Sequence, residues 1–184
     1  MKIKIKAEIL TEQDFKRIVT RLAHEILEKN RGTENLVIVG IRTRGAHLAS
    51  RISKKIKEIE QVDIPTGFLD ITLYRDDFRT RLKQPSVEVT NIPFKIDEKN
   101  IVLVDDVLYT GRTIRSALDA LMDFGRPSSI LLAVLVDRGH RELPIRPDFV
   151  GKNIPTSIGE EVKVYMEEVD EKDQVILIEA PNNK

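Results

Sequence analysis

The sequence predicts an α/β fold in which a central, mostly parallel sheet is flanked by helices. Two observations carry this prediction. Strongly apolar segments that suit buried strands alternate along the chain with segments of helical periodicity. Strands that are apolar on both faces must be covered on both sides, which is typical of parallel sheets. After Val136 the helical segments stop, and a small accessory subdomain is predicted from short strand-like pieces near Phe149–Val150, Val162–Met166 and Val175–Glu179.

The elements can be assigned in order from the N-terminus. Lysine and isoleucine alternate in the opening MKIKIKAEIL, which suits a strand. A helix is predicted from Thr11, a suitable N-cap, to Gly32. The apolar residues of this helix share one face: Phe15, Ile18, Val19, Leu22, Ala23, Ile26 and Leu27. The apolar strand Leu36–Ile41 follows, and then a helix from about Ala46 to Ile59.

The same alternation continues through the second half of the predicted sheet. Gly67–Tyr74 is predicted as a strand, and Arg75–Ser86 as a charged loop because it lacks an apolar period. The strand Ile101–Val104 leads to a helix whose apolar face carries Ile114, Ala117, Leu118, Leu121 and Met122. The apolar run Ile130–Val136 is predicted as the next strand.

Composition limits the classes of function. The chain has 184 residues, 30 of them Lys or Arg and 30 Asp or Glu, so its formal net charge is zero. Global charge therefore favours no polyanion, and any nucleic-acid binding must come from a local patch. The absence of Cys excludes disulfides and thiolate metal sites. The longest apolar run is too short to span a bilayer, and the N-terminus does not have the pattern of a signal peptide. A cytoplasmic protein that does not enter membranes is therefore expected.

Two adjacent carboxylates, Asp105 and Asp106, follow the apolar strand Ile101–Val104. Like charges in contact repel each other, so this position is unfavourable unless a ligand uses both groups. Ligands of open parallel sheets bind outside the carboxyl ends of the strands, which is where this pair is expected. The pair is therefore predicted to bind a ligand.

The segment TGRT (Thr110–Thr113) comes next and precedes a helix. Backbone N–H groups at a helix start, together with the helix dipole, favour a phosphate, and Gly111 allows close approach of the backbone. Thr110 and Thr113 add hydroxyl donors. Carboxylates for sugar hydroxyls beside a phosphate cradle match a ribose 5-phosphate. The alternative is an acidic turn followed by an ordinary helix cap.

The segment GIRTRG follows the strand Leu36–Ile41, so it also lies at a carboxyl end. Thr43, Arg44 and the neighbouring backbone amides are predicted to bind a diphosphate. The alternative is a basic loop that merely precedes a helix. The charged loop that begins at Tyr74 and Arg75 is predicted to close over the ligand and exclude water, with a solvated loop as the alternative.

The motif VLVDDVLYTGRT resembles the phosphoribosyl-diphosphate (PRPP) motif of type I phosphoribosyltransferases. The segments DITLYRDD, VGIRTRG and GRPSSILLAVLVDRGHRELPIRPDFVGKNIPTS resemble the pyrimidine-operon attenuation regulators. That family combines an mRNA-binding regulator with a uracil phosphoribosyltransferase. The resemblance covers nearly the whole chain and weakens only around Arg79–Val87 and at the C-terminus.

The resemblance implies a type I phosphoribosyltransferase fold with a small C-terminal hood subdomain. A single domain would span 1–184, with a core of about 10–136 and a hood formed mainly by 137–184 with the N-terminal segment. The implied reaction converts uracil and PRPP to UMP and diphosphate. The implied regulatory role is UMP-responsive binding of an mRNA leader hairpin, which attenuates transcription of pyrimidine biosynthesis genes. A homodimer or higher homo-oligomer is expected by resemblance.

The resemblance also assigns roles to individual residues. Asp105 and Asp106 would hold the ribose hydroxyls, directly or through Mg²⁺ and its waters, and Arg75 would reach the diphosphate. PRPP and UMP would be bound by Thr43, Arg44, Asp105, Asp106, Val107, Leu108, Tyr109, Thr110, Gly111, Arg112 and Thr113. The base would be bound by Val136, Asp137, Arg138 and Lys152. RNA would be bound by Thr20, His24, His140, Arg141 and Arg146, which are expected to form one basic face in the dimer.

One alternative enzyme remains open at this point. The hood phrase RPDFVGKNIP is related to that of hypoxanthine–guanine phosphoribosyltransferases. Many purine-specific relatives carry an aromatic residue after this phrase, which stacks on the base. This chain instead has Thr156, Ser157 and Ile158 there, which favours a pyrimidine. A salvage enzyme without RNA binding is the second alternative.

Overall fold

The computed structural model describes residues 4–72 and 90–179. Within these ranges the strands are β1 (Ile5–Leu10), β2 (Leu36–Ile41), β3 (Thr66–Leu69), β4 (Asn100–Leu108), β5 (Ser129–Asp137), β6 (Phe149–Asn153), β7 (Glu160–Tyr165) and β8 (Gln174–Glu179). The helices are α1 (Glu12–Asn30), α2 (Arg44–Glu60), α3 (Arg112–Met122) and the short α4 (Glu167–Asp170).

The described strands form two sheets. The central sheet has the order β3-β2-β4-β5-β6, and all of its neighbouring strands are parallel. The second sheet is antiparallel with the order β1-β8-β7, so it joins the beginning of the described chain to its end. The predicted α/β class with a mostly parallel central sheet is confirmed.

Helices cover the central sheet on both faces, as the apolar strands require. On β4, Val102 and Val104 belong to the core that includes α1 and α2, whereas Ile101 and Leu103 belong to the core that includes α3. The alternation arises because successive side chains of a strand point to opposite faces. The two helical layers leave the carboxyl ends of β2 and β4 to their connecting loops.

The first helix begins where the sequence predicts. The Thr11 side chain accepts a hydrogen bond from the Asp14 N–H, and Asp14 accepts one from the Thr11 N–H, which is a complete capping box. The helix ends at Asn30, and Arg31 adopts the left-handed conformation as its C-cap. All seven residues of its predicted apolar face are buried.

Two predicted strand ends are wrong, the first because of pairing with a neighbouring strand and the second because of a local turn. Strand β4 continues to Leu108 because β5 pairs with it as far as Asp137, so the carboxylates lie in the strand and not beyond it. Strand β3 ends at Leu69, since Asp70 turns the chain by accepting hydrogen bonds from the Thr72 N–H and hydroxyl. Residues 73 and 74 of the predicted strand lie outside the described residues.

Three further differences concern the second half of the chain. The strand-like piece near Phe149, expected in the accessory subdomain, forms β6 and pairs with β5 in the central sheet. Met122, expected on the apolar face of α3, is 54% exposed at the end of that helix. A short helix, α4, also follows Val136, where no helix was expected. The division into a core and a hood stays a prediction.

Candidate active site at the carboxyl edge of the sheet

The carboxylate pair lies in the last part of β4, beside its parallel neighbours β2 and β5. Asp105 is 6% exposed, and its Oδ1 accepts a hydrogen bond of 2.9 Å from the Asp106 N–H. Asp106 Oδ1 accepts a hydrogen bond of 2.8 Å from the Val107 N–H. Each carboxylate is thus fixed by the backbone that follows it.

Asp106 ionises less readily than an ordinary aspartate. Burial raises its pKa, and hydrogen bonds from its surroundings together with the charge of Arg44 only partly offset this effect. A carboxylate that is costly to keep charged in the free protein gains from a cation or from hydroxyl donors. The electrostatics of this pair therefore favour a ligand that supplies one or both.

The turn after β4 has the geometry of an anion cradle. Gly111 is the N-cap of α3 and has a φ of +93°, which side chains other than glycine rarely adopt. The N-cap Gly111 has no side chain with which to cap α3, and the first turn of this helix contains no acidic residue. Its N–H groups therefore attract a phosphate through the helix dipole. Thr113 is half-buried in this turn, and the Thr110 hydroxyl accepts a long hydrogen bond of 3.4 Å from the Arg112 N–H.

The loop after β2 lies directly against the carboxylate pair. The peptide bond between Arg42 and Thr43 is cis, and Thr43 is exposed. A Cβ atom built on Gly45 would lie 2.6 Å from the Val104 carbonyl oxygen and 3.2 Å from Asp105 Oδ1. Only glycine therefore permits this approach. The predicted diphosphate loop and the predicted ribose carboxylates are neighbours in the fold.

The guanidinium of Arg44 forms an ion pair with a residue that the sequence analysis did not single out. Its Nη2 lies 2.8 Å from Asp170 Oδ1 and 3.0 Å from Oδ2, and its Nε lies 3.2 Å from Oδ2. The charge of Arg44 also acts on Asp106. Arg44 therefore lies between the carboxylate pair and the segment that connects β7 to β8, which contains Asp170.

The segment after β5, residues 138–146, packs against the turn after β4, residues 109–113, which we call the phosphate turn because it is predicted to bind a phosphate. The Thr110 carbonyl accepts hydrogen bonds from the N–H groups of Glu142 and Leu143. Arg112 forms an ion pair with Glu142 at 2.7 Å. These two hydrogen bonds and this ion pair join the segment to the turn.

Of the predicted base-binding residues, Val136 and Arg138 are buried and Asp137 is half-buried. The Arg138 guanidinium lies 4.0 Å from the centre of the Tyr109 ring, and its Nη2 donates to the Glu160 carbonyl. Within the described ranges, its buried Nε has no hydrogen-bond acceptor. The Asp137 carboxylate accepts hydrogen bonds from Arg141 and from the Gly139 N–H. Lys152 is exposed on β6 and its charge acts on Asp14 of α1.

The predicted RNA-binding residues fall into two groups. Thr20 and His24 lie on an open groove of about 580 Å³ on α1, which is lined by Gln13, Lys16, Arg17, Thr20, Arg21 and His24. His140 and Arg141 instead lie against the phosphate turn. The His140 ring is 6.2 Å from that of Tyr109, and Arg141 Nη1 donates to the Tyr109 carbonyl at 2.8 Å. Arg146 is exposed. No hydrogen bond or ion pair joins the two groups in the described part of the chain.

Arg75, predicted to reach the diphosphate, and Tyr74 beside it lie outside the described residues. The remaining predicted residues of the PRPP motif, Val107 and Leu108, form the end of β4, where Leu108 is buried. Sequence reasoning missed Asp170 and the neighbouring acidic residues. The acidic run EEVDEKD between two short strands was a signal for them, because such a run needs cations nearby.

Comparison with known proteins agrees with this geometry. The model of the phosphoribosyl transferase domain family matches residues 6–168. A curated protein of Pelotomaculum thermopropionicum, named bifunctional protein PyrR, is 59% identical over 95% of this chain and 97% of its own length. The protein of the same name from Deinococcus deserti is also 59% identical, over 94% of each chain.

The chain belongs to the PyrR family of phosphoribosyltransferases. Solved structures support the fold. A hypoxanthine phosphoribosyltransferase of Staphylococcus aureus superposes with a TM-score of 0.70 at 24% identity, covering 96% of this chain and 94% of that one. The enzyme of Trypanosoma cruzi superposes with a TM-score of 0.71 at 17% identity, covering 95% and 92%. These identities show the type I fold alone, whereas the PyrR family relationship rests on far higher identity.

Among residues 4–72 and 90–179, no helix combines the length and the apolar character needed to cross a membrane.

Proposed function

We propose that this chain transfers ribose 5-phosphate from PRPP to uracil, giving UMP and diphosphate, and that it also binds a pyrimidine-gene mRNA leader in response to UMP. One observation carries the enzymatic part. The diphosphate loop, the carboxylate pair and the phosphate turn meet at the carboxyl ends of β2 and β4 in a member of the PyrR family. The three parts correspond to the diphosphate, the ribose and the 5-phosphate of PRPP.

The reaction requires the protein to stabilise opposite charges that develop at the two ends of the breaking bond between ribose C1 and the diphosphate oxygen. Uracil N1 forms a bond to ribose C1 while the bond from C1 to the diphosphate oxygen breaks, and the diphosphate leaves with the electron pair. Uracil releases its N1 proton to water. Positive charge develops on the ring carbon and oxygen, and the carboxylates of Asp105 and Asp106 stabilise it. Arg44 and the loop amides stabilise the charge that grows on the leaving group.

The residues present fit Mg²⁺. Mg²⁺ prefers oxygen ligands, and Asp105 and Asp106 supply carboxylate oxygens at the mouth of the site. No cluster of three or more His, Cys, Asp or Glu side chains that would hold a metal occurs in the described ranges. Asp105 and Asp106 would therefore hold the ion together with ligand oxygens. The ion would neutralise negative charge on the diphosphate.

Uracil is the base that we propose, in preference to a purine. The segment after Asn153 supplies Thr156, whose hydroxyl donates to the Arg138 carbonyl, and Ile158, which is exposed. It supplies no aromatic ring to stack on a purine. The test is a comparison of uracil, hypoxanthine and guanine as acceptors with PRPP. Uracil should be the efficient acceptor, and preference for either purine would contradict the proposal.

The regulatory part rests on surfaces outside the carboxylate pair. The groove on α1 presents Arg17, Thr20 and His24, and the segment after β5 presents His140 and Arg146. Arginine pairs with phosphate or guanine and stacks on unpaired bases, which suits a hairpin loop. A homodimer or higher homo-oligomer, proposed from family resemblance, would bring these groups onto one face. Light scattering on the purified protein would test the assembly.

Arg141 supports a physical link between UMP and RNA. It donates to the Tyr109 carbonyl at the phosphate turn and to the Ile145 carbonyl in the segment that leads to Arg146. A UMP phosphate that orders the turn would therefore order the segment as well. By thermodynamic linkage, UMP would raise the affinity for RNA and RNA would raise the affinity for UMP by the same factor. RNA binding measured with and without UMP tests this.

A further inference from the structure

The connection between β7 and β8, residues 166–173, is held against α2 by two arginines. We call it the acidic connection, because it contains Glu167, Glu168, Asp170, Glu171 and Asp173. Arg44 and Arg51 are about two turns apart on α2 and therefore lie on the same side of the helix. Arg51 binds both Glu168 and Asp173, and Arg44 binds Asp170.

Arg51 provides the mechanical attachment. It donates to Glu168 at 2.6 and 2.8 Å and to Asp173 at 2.7 and 2.8 Å, and its guanidinium lies 5.1 Å from the centre of the Phe15 ring. The Asp173 side chain is only 3% exposed. Because these contacts attach the acidic connection to α2, the Arg44 ion pair is not needed for attachment.

The ion pair between Arg44 and Asp170 lies next to the predicted diphosphate loop, unlike the ion pairs of Arg51. Arg44 is the first residue of α2 and follows Thr43 in the diphosphate loop. Its charge reaches Asp106, whereas that of Arg51 is used within the acidic connection. The fork to Asp170 uses Nε and Nη2, so it fixes the plane of the guanidinium and does not use Nη1.

Asp170 is itself held in place by its own backbone. Its Oδ2 accepts a hydrogen bond of 2.9 Å from the Met166 N–H. Burial opposes the ionisation of Asp170, but the hydrogen bonds from Arg44 and the Met166 N–H outweigh it and lower its pKa. Asp170 therefore remains charged at neutral pH and holds Arg44 in one orientation.

We infer that Asp170 is a positioning residue that holds Arg44 for the diphosphate of PRPP. The inference rests on the proposed function. Asp170 touches no reacting atom, and its effect passes through Arg44. Since UMP lacks a diphosphate, Asp170 should influence the binding of PRPP and diphosphate and leave the binding of UMP unchanged.

The test is Asp170→Asn, which keeps the size of the side chain and removes its charge. A freely rotating Arg44 should lose about one charge-assisted hydrogen bond to the ligand, so KM for PRPP and Kd for magnesium diphosphate should rise by about tenfold. Kd for UMP should remain at the wild-type value, whereas kcat at saturating PRPP should fall, because Arg44 also stabilises the charge that grows on the leaving diphosphate. Asp170→Glu should restore part of the PRPP affinity.

The matched control is Glu171→Gln, which removes the neighbouring negative charge from the same acidic connection. Glu171 is exposed and should leave PRPP affinity unchanged. In an Arg44→Ala background, Asp170→Asn should have no further effect, because the residue that it positions is missing. Thermal unfolding of each variant checks that the Arg51 attachment keeps the fold.

Three results would overturn the inference. They are equal PRPP affinity in Asp170→Asn and Glu171→Gln, tighter PRPP binding in Asp170→Asn, and an equal loss of UMP and PRPP affinity. Calorimetric binding of PRPP, diphosphate and UMP separates this inference from the proposed function. A wild-type protein that binds PRPP but does not transfer uracil would contradict the proposed function. The role of Asp170 would still be tested, because the PRPP affinities of Asp170→Asn and Glu171→Gln can be compared without the reaction.

Discussion

Gly45→Ala should inactivate the enzyme without unfolding it. The new Cβ would lie 2.6 Å from the Val104 carbonyl oxygen and 3.2 Å from Asp105 Oδ1. Ordinary contacts begin at 3.4 Å, so the diphosphate loop and β4 would have to separate by about 0.8 Å. Both neighbours belong to the buried end of β4, so the displacement falls on the loop and on the carboxylate pair.

The expected magnitudes follow from this displacement. A shift near 1 Å in a site of this kind costs on the order of 100-fold in rate, so kcat/KM for PRPP should fall by about that factor. Overpacking costs about 1–3 kcal/mol, and alanine offsets about 1 kcal/mol of this through its better helix propensity. The free energy of unfolding should therefore fall by at most about 2 kcal/mol.

The assay is the initial rate of UMP formation, together with urea unfolding of the same preparation. Ser50→Ala is the control, because Ser50 is exposed on α2 and its hydroxyl only donates to the Ala46 carbonyl. It should keep wild-type activity and nearly wild-type stability. Wild-type kcat/KM in Gly45→Ala would refute the argument that the loop and the carboxylate pair act as one site.

Three further predictions concern the rest of the site and the acidic connection. Asp105→Asn with Asp106→Asn should abolish uracil transfer and leave stability equal or slightly higher, because two adjacent carboxylates that repel each other are removed; transfer near the wild-type rate would contradict the role of the pair. Thr110→Ala and Thr113→Ala should each weaken UMP binding by about 1–3 kcal/mol in calorimetry, and unchanged affinity in both would place the phosphate elsewhere. Arg51→Ala should lower the free energy of unfolding at neutral pH by about 3 kcal/mol, because Asp173 would lose its buried partner. Hydrogen bonds from Arg51 lower the pKa of Glu168. Burial alone would raise the pKa of Asp173, but hydrogen bonds from Arg51 outweigh burial and lower it. The free energy of unfolding of the wild type should therefore decline as the pH falls below the ordinary pKa values of 4.5 for Glu and 3.8 for Asp. Chemical unfolding should show a shallower decline in Arg51→Ala, and parallel pH profiles would contradict this assignment.

The main features of the candidate active site were predictable because they follow from local sequence. An apolar strand followed by two carboxylates and a glycine turn before a helix can be recognised without tertiary information. The loop Thr43–Arg44 was predictable for the same reason, since it follows a strand of the same parallel sheet. What local sequence did not indicate is that β4 continues through Asp105 and Asp106. That extension depends on its neighbour β5, which pairs with it as far as Asp137.

The features that were missed depend on contacts between distant parts of the chain. Arg44 and Asp170 are 126 positions apart, so periodicity and local motifs cannot pair them. The strand at Phe149 was assigned to the accessory subdomain because it is short and follows a region without helices. Its parallel pairing with β5, and the donation of Arg21 to the Val150 and Gly151 carbonyls, place it in the central sheet.

The role of Arg141 also depends on tertiary structure. Sequence resemblance assigns it to the RNA surface, but its guanidinium also contacts Tyr109, Asp137 and Ile145 at the phosphate turn. Replacing it would disturb the turn as well as any RNA contact. Arg146 is exposed and is the better position for testing RNA binding by substitution.

Binding of a pyrimidine-gene leader hairpin, measured with and without UMP, tests most directly the claim that one protein is both enzyme and regulator. The wild type should bind the hairpin, and UMP should tighten the complex. Arg146→Ala should weaken binding and reduce the log–log salt slope by about 0.7 for a lost phosphate contact, with normal uracil transfer. A wild-type protein that transfers uracil but binds no leader hairpin at any UMP concentration would contradict the claim and leave a salvage enzyme.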